Sequence, residues 1–157
     1  MSGVTTAPRV LLLVGLPGSG KSSWAARQAT APLSSDALRM MLADDETAQG
    51  IHNEVFAAIR YLLAERLRLG RPLTVVDATH LATWEREPYF AVAREHGATV
   101  EAVFFDVPLA ECKRRNRRRK RQVPEEVLEA MAAKLVPPTV EEGFSRVTVV
   151  RQASPRR

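Results

Sequence analysis

A chain of 157 residues, 45% of them hydrophobic, suits one compact domain with a sizeable core and excludes a wholly disordered chain. The single cysteine, Cys112, excludes an intrachain disulfide and the usual multi-cysteine zinc sites, and fits a reducing cytoplasm. The net charge of +5 is concentrated: eight of the nine residues from Lys113 to Arg121 are cationic, which leaves the rest of the chain at −3. One basic segment on a mildly acidic domain points to a polyanionic partner. Met1–Arg9 has no secretory n-region, and the apolar run after it is too short for a signal core or a membrane span, so no membrane partner is expected.

In chain order, Val10–Val14 reads as a buried strand. It runs directly into Gly15-Leu16-Pro17-Gly18-Ser19-Gly20-Lys21-Ser22, which fits the phosphate-loop pattern G-x-x-x-x-G-K-[ST]. In such a loop the glycines let backbone N–H groups close around a polyphosphate. Lys21 reaches the β- and γ-phosphates, and the Ser22 hydroxyl helps hold Mg²⁺. Ser23–Ala29 continues as a helix whose N-terminus faces the anion. Strand, loop and helix together predict a site for ATP or another nucleoside triphosphate, built from Gly15, Gly18, Ser19, Gly20, Lys21, Ser22 and Ser23.

A weaker strand lies around Ala31–Ser34. Ile51, Val55, Ile59, Leu62, Leu63 and Leu67 then carry the three-to-four spacing of one buried helix face, which Gly70-Arg71-Pro72 ends. Leu73–Val76 is the third strand. Thr83 to His96 reads as a helix closed by Gly97, and Val100–Phe105 as the fourth strand. A helix starts near Pro108. Another follows Pro124-Glu125-Glu126, with Val127, Leu128, Met131 and Leu135 on one face and Pro137-Pro138 as its stop. Val147–Val150 closes the series, with residues 151–157 expected as a flexible tail. Strands alternating with helices over residues 1–157 predict a single α/β domain, a parallel sheet of about five strands sandwiched by helices.

Three features narrow the chemistry. Asp36, after the weak second strand, sits where ligands gather in a parallel sheet, able to take a proton from an acceptor hydroxyl. Arg39, three residues on, shares its helix face and suits a phosphate clamp. Asp36 as a helix cap fits the same spacing, and both readings stand at this point. Asp77, ending Leu73–Val76, suits a carboxylate that orders Mg²⁺ or its waters. The run from Lys113 to Gln122 has no aliphatic or aromatic residue and no face to pack. A solvated surface patch is one reading of it. In nucleoside monophosphate kinase-like folds this position, about 108–124, is the lid, and its charge exceeds what one ATP requires, leaving some for a nucleic-acid backbone.

Taken together, these residues resemble the bacterial and phage polynucleotide 5′-kinase family, the kinase module of end-healing polynucleotide kinase–phosphatases. The match runs through the phosphate loop, Ser34-Ser35-Asp36-Ala37-Leu38-Arg39, Asp44-Asp45-Glu46, Val75-Val76-Asp77-Ala78-Thr79 and Phe105-Asp106-Val107-Pro108. It continues through Arg115-Asn116-Arg117-Arg118-Arg119, Val123-Pro124-Glu125-Glu126-Val127 and Pro138–Phe144. The resemblance implies a P-loop NTPase fold with a basic helical lid. It implies ATP and Mg²⁺ as cofactors and a 5′-OH RNA or DNA end as acceptor. Lys21 and Ser22 would bind triphosphate and metal, Asp36 would be the general base, and Arg39 would contact the acceptor's nearby phosphate. Asp77 would support the metal site. Arg119 would stabilise the transferring phosphoryl group, with Arg115 and Arg121 as neighbouring candidates. His80 stands where the family often has asparagine, and is expected to alter acceptor contacts; Ser23 stands where threonine often follows. No Asp-x-Asp phosphatase motif or ligase signature is present, so a phosphatase or ligase would be a separate protein.

A small-molecule kinase on the same scaffold, acting on an antibiotic, sugar-acid or nucleotide-sugar acceptor, is the alternative enzyme. A nucleotide-dependent RNA-binding subunit without turnover is the alternative of another class. Asp44 and Asp45 are expected to cap the following helix, and Trp24, Trp84, Tyr89 and Phe56 to be core. His52 and Asn53 are expected on a solvated helix surface, and Cys112 as a small apolar residue of the lid helix.

Overall fold

The computed structural model describes residues 6–151. The tail residues 152–157 lie outside the described residues, and Arg151, expected to begin that tail, is instead the last residue of a strand. The elements are β1 (Arg9–Val14), α1 (Lys21–Ala26), β2 (Leu33–Ser34), α2 (Ser35–Ala43), α3 (His52–Arg68), β3 (Leu73–Asp77), α4 (Thr83–Glu95), β4 (Thr99–Asp106), α5 (Leu109–Arg117), α6 (Glu125–Lys134) and β5 (Arg146–Arg151), with a 3₁₀ turn at Val140–Glu142. All strand pairs are parallel, in the order β2-β3-β1-β4-β5.

Alternation along β1 decides how the sheet is covered. Val10, Leu12 and Val14 face one side and pack with Val55, Ile59 and Leu63 of α3 and Tyr89 and Ala93 of α4. Leu11 and Leu13 face the other side, with Ala25 of α1, Val75, Val103 and Phe105. A third cluster of Leu16, Leu81, Val107 and Cys112 lies beneath α5 and α6, where Leu109 and Met131 pack on it. The chain leaves β1 for β2 and β3 on one side and returns to β4 and β5 on the other. The crevice at the carboxyl end of β1 is thus where a ligand fits such a sheet.

Two elements are shorter than the sequence predicts. Strand β2 has two residues, paired only through Leu33↔Val76 and Ser34↔Asp77. Helix α1 stops at Ala26 rather than Ala29, because Gln28 Nε2 donates to the Trp24 carbonyl (3.2 Å) while its backbone N–H turns to Ala25 O. Among the described residues, no helix is long and apolar enough to cross a membrane.

Candidate active site

A cleft of about 860 Å³ opens over the carboxyl ends of β1, β2 and β3. Its floor is the phosphate loop. Gly18 and Gly20 have φ of 83° and 99°, a region that costs a residue with a side chain about 1 kcal/mol or more. A Cβ on Gly18 would also lie 3.0 Å from the Cys112 carbonyl oxygen. The Gly15 N–H donates to Thr79 O (3.1 Å), tying the loop to the segment after β3. The Ser19 N–H donates to Leu16 O (3.1 Å), and its hydroxyl is buried without a partner. Gly15 and Ser19 therefore form the back of the loop, whereas Gly18, Gly20, Lys21, Ser22 and Ser23 line the cleft. The amides of Lys21, Ser22 and Ser23 open α1 and have no intrahelical acceptor.

Lys21 is buried, and its ammonium donates to Leu16 O at 2.9 Å. Burial lowers its pKa to about 8, with the Asp77 carboxylate opposing. An anionic phosphate would supply the counter-charge this ammonium lacks. The Ser22 hydroxyl donates to Asp77 Oδ2 at 2.9 Å. Burial raises the Asp77 pKa, against the Ser22 hydrogen bond and Lys21. A hydroxyl and a carboxylate at the end of β3 are the hard oxygen donors that fit Mg²⁺ beside a polyphosphate.

The pairing of Ser34 with Asp77 sets the start of α2 next to this floor. Ser34 is the N-cap, its hydroxyl accepting from the Ala37 N–H at 3.2 Å. Capping is therefore not the role of Asp36, which sits in the first turn with its side chain 53% exposed and lines the cleft. Arg39 Nη1 lies 3.8 Å from Asp36 Oδ1, and Arg121 Nη2 lies 3.7 Å from Asp36 Oδ2.

The basic segment has a packed face that its composition hides. Asn116 is buried, and its amide holds Val123 twice: Oδ1 accepts from the Val123 N–H (2.9 Å) and Nδ2 donates to the Val123 carbonyl (2.6 Å). That closes the loop between α5 and α6. The cations are largely paired within the protein. Lys113 meets Glu129 (2.6 Å), Arg114 and Arg115 share Glu111, Arg117 meets Glu125 (2.7 Å), and Arg121 meets Glu46 (3.0 Å). The two arginines hold the Glu111 carboxyl down to a pKa of about 2. Among the described residues, Arg118, Arg119 and Lys120 find no acidic partner. Arg115 donates to the Gly18 carbonyl (3.2 Å), which sets it on the phosphate loop, while Arg119 lines the cleft.

Several expectations are corrected by packing. His80 is buried and does not line the cleft: its ring lies between Leu13 O (2.6 Å) and the Tyr89 hydroxyl (3.1 Å), so it has no acceptor contacts to alter. Phe56 packs against the core as expected and His52 is exposed as expected, and their rings, 4.6 Å apart on α3, also line the cleft. Trp84 is 62% exposed and lies under the Lys134 ammonium, not in the core. Asp44 ends α2 in the left-handed conformation, and Asp45 accepts from Thr47, so neither caps α3. The sequence reading also missed Arg86. It is wholly buried on α4, where it donates to Val136 O (2.9 Å) and faces Glu142 (3.1 Å). A lone arginine in an amphipathic helix carries no signal of such burial.

A phosphate loop on a parallel five-stranded sheet, with a helical lid across the cleft, defines the P-loop kinase class. The chain belongs to the AAA domain family, whose model matches residues 10–138. No curated protein matches it in sequence. Among solved structures, a chain of the Pnkp1/Rnl/Hen1 RNA repair complex shares 22% identity with a TM-score of 0.71 over 84% of this chain. This chain spans only 45% of that one. A gluconokinase from Sinorhizobium meliloti 1021 shares 25% identity (TM-score 0.65, covering 94% of this chain and 85% of that one). The Mycobacterium tuberculosis APS kinase CysC, in complex with AMPPNP and APS, also shares 25% (TM-score 0.54, covering 71% and 70%).

Proposed function

We propose that the protein transfers the γ-phosphate of ATP to the 5′-hydroxyl of an RNA or DNA end. The observation that carries this reading is Asp36, relieved of capping by Ser34 and flanked on its two oxygens by Arg39 and Arg121, in the cleft floored by the phosphate loop. A carboxylate base between two guanidiniums suits a hydroxyl that carries an anionic group beside it, as a 5′-terminal nucleotide does. In the reaction, the Asp36 carboxylate takes the proton of the acceptor hydroxyl. That oxygen forms its bond to the γ-phosphorus as the bond to the β–γ bridging oxygen breaks, and ADP leaves. Lys21 and the loop amides hold the β- and γ-phosphates, and Arg115 and Arg119 neutralise charge from the lid side. Mg²⁺, held by Ser22 and Asp77 together with the phosphates, would supply electrostatic stabilisation of the transferring group. A cytoplasmic setting suits these cofactors, and phosphatase and ligase activities would complete end repair.

The internal pairing of five lid cations favours a second reading, a kinase of a small anionic acceptor such as a sugar acid. The likeness to a gluconokinase over nearly its whole length supports it too. Transfer from γ-labelled ATP to 5′-OH RNA and DNA oligonucleotides separates them. Labelled ends are expected with the wild type, and Asp36→Asn should lower the rate by about 10²–10⁴-fold with ATP affinity retained. Label on a sugar acid and none on either end would overturn the polynucleotide reading in favour of the second.

A further inference from the structure

Of the five paired lid cations, four find their acidic partners on α5 or α6, within the lid. Arg121 alone crosses the mouth of the cleft, to Glu46 in the loop after α2 and to Asp36 on α2. We propose that Arg121 is a ligand for a phosphate of the acceptor, and that Glu46 occupies it until an anionic acceptor takes its place. The inference rests on the polynucleotide reading above and names the group that recognises the acceptor's charge.

The geometry shows a guanidinium engaged by proximity but not by hydrogen bonds. Its Nη1 lies 3.0 Å from Glu46 Oε1, yet is closed off from solvent without an aligned acceptor. Its Nη2 is 3.7 Å from Asp36 Oδ2, beyond hydrogen-bond length. The Glu46 side chain is 47% exposed, and ion pairs in such settings are weak. A phosphate presents oxygens that the planar guanidinium fork can bind bidentately, which neither carboxylate does here. Arg39 on the opposite oxygen of Asp36 completes a pair of cations astride the base. An acceptor with a phosphate beside its hydroxyl displaces Glu46 and brings the lid loop onto itself. A neutral acceptor has nothing to exchange, so Arg121 supplies the selectivity for charged ends and Glu46 competes against it.

The test compares kcat/KM for a 5′-OH nucleoside 3′-phosphate with that for the same nucleoside lacking the phosphate. The ratio is internal to each variant, so partial misfolding cancels from it. Glu46→Gln should raise the ratio about three- to fivefold, the scale of one released half-exposed ion pair. Arg121→Gln should lower it about tenfold, and adding Glu46→Gln to that variant should do nothing more. A ratio unmoved by Glu46→Gln overturns the exchange. So does an equal rise with and without Arg121, because Glu46 would then act by simple repulsion of the acceptor. Absence of transfer to either compound and to longer 5′-OH ends by the wild type overturns the polynucleotide reading, and the exchange falls with it.

Discussion

His80 holds a φ of 48°, in the left-handed region, between the end of β3 and α4. The Leu13 carbonyl can only accept, so the proton sits on Nδ1 and Nε2 accepts from the Tyr89 hydroxyl. Only the acceptance from Tyr89 requires the neutral ring; the donation to Leu13 O survives protonation and opposes the shift, but burial outweighs it and lowers the pKa to about 4. The sign follows from linkage. The unfolded ring titrates near its ordinary value of about 6.5, so between there and pH 4 the unfolded chain binds the extra proton. This contribution is whole above pH 6.5 and is lost as pH falls toward 4, by about 3 kcal/mol in all. Glu111 titrates lower still and stays out of the upper part of this window. Asparagine tolerates a positive φ, and its amide N–H can donate to the Leu13 carbonyl without titrating. Urea unfolding between pH 7 and 4.5 should therefore show a clear loss of stability in the wild type and a flatter profile in His80→Asn. Parallel profiles would mean that another group carries the pH dependence.

At the scale of elements, the lid depends on one residue that its composition conceals. Asn116 is the only amide in a nine-residue segment otherwise entirely cationic, from Lys113 to Arg121. Its two hydrogen bonds to Val123 fix the turn that carries Arg119 over the cleft. Asn116→Ala strands a part-buried N–H and a carbonyl, a loss of about 1–3 kcal/mol confined to the lid. Amide exchange at Val123 should quicken by tenfold or more and the KM for ATP should rise, while exchange in β1 and β4 stays slow. Equal acceleration throughout would make Asn116 a determinant of global stability rather than of the lid. The contrast with the sheet explains what was legible. Apolar runs announced β1, β3, β4 and β5, and the glycine-rich loop between strand and helix announced the phosphate floor. A two-residue strand such as β2 has no period to read. The partners of Lys113 and Arg117 lie one helix away, on α6, so the sequence showed charge without showing neutralisation. The cap at Ser34 and the burial of His80 and Trp84's exposure arise from tertiary packing that one-dimensional spacing does not encode.

Over the whole molecule, charge pairing sets how strongly a polyanion should be felt. If all eight cations of the basic segment met phosphates, a single strand would release enough counterions for a slope of about −5 to −6 in log affinity against log salt concentration. Five of them already neutralise acids of the same protein. On the proposed mechanism, which gives Arg119 to the nucleotide, Arg118 and Lys120 would be left for the acceptor together with Arg39, and Arg121 would join them where Glu46 yields. Three to four phosphate contacts predict a slope of about −2 to −3 between 50 and 200 mM salt. The measurement is the KM of a 5′-OH oligonucleotide across that range, at saturating ATP, with ATP's own KM followed in parallel. Replacing Arg118 and Lys120 by glutamine should flatten the slope by one to two units without abolishing transfer, because neither lies on the loop or at Asp36. A slope steeper than −5 would mean that the internal ion pairs open on binding, and that the lid rearranges its whole charge around the strand. A flat profile with transfer intact would place the acceptor's recognition at the hydroxyl and its immediate neighbours alone, and would make the basic segment a structural feature of the lid.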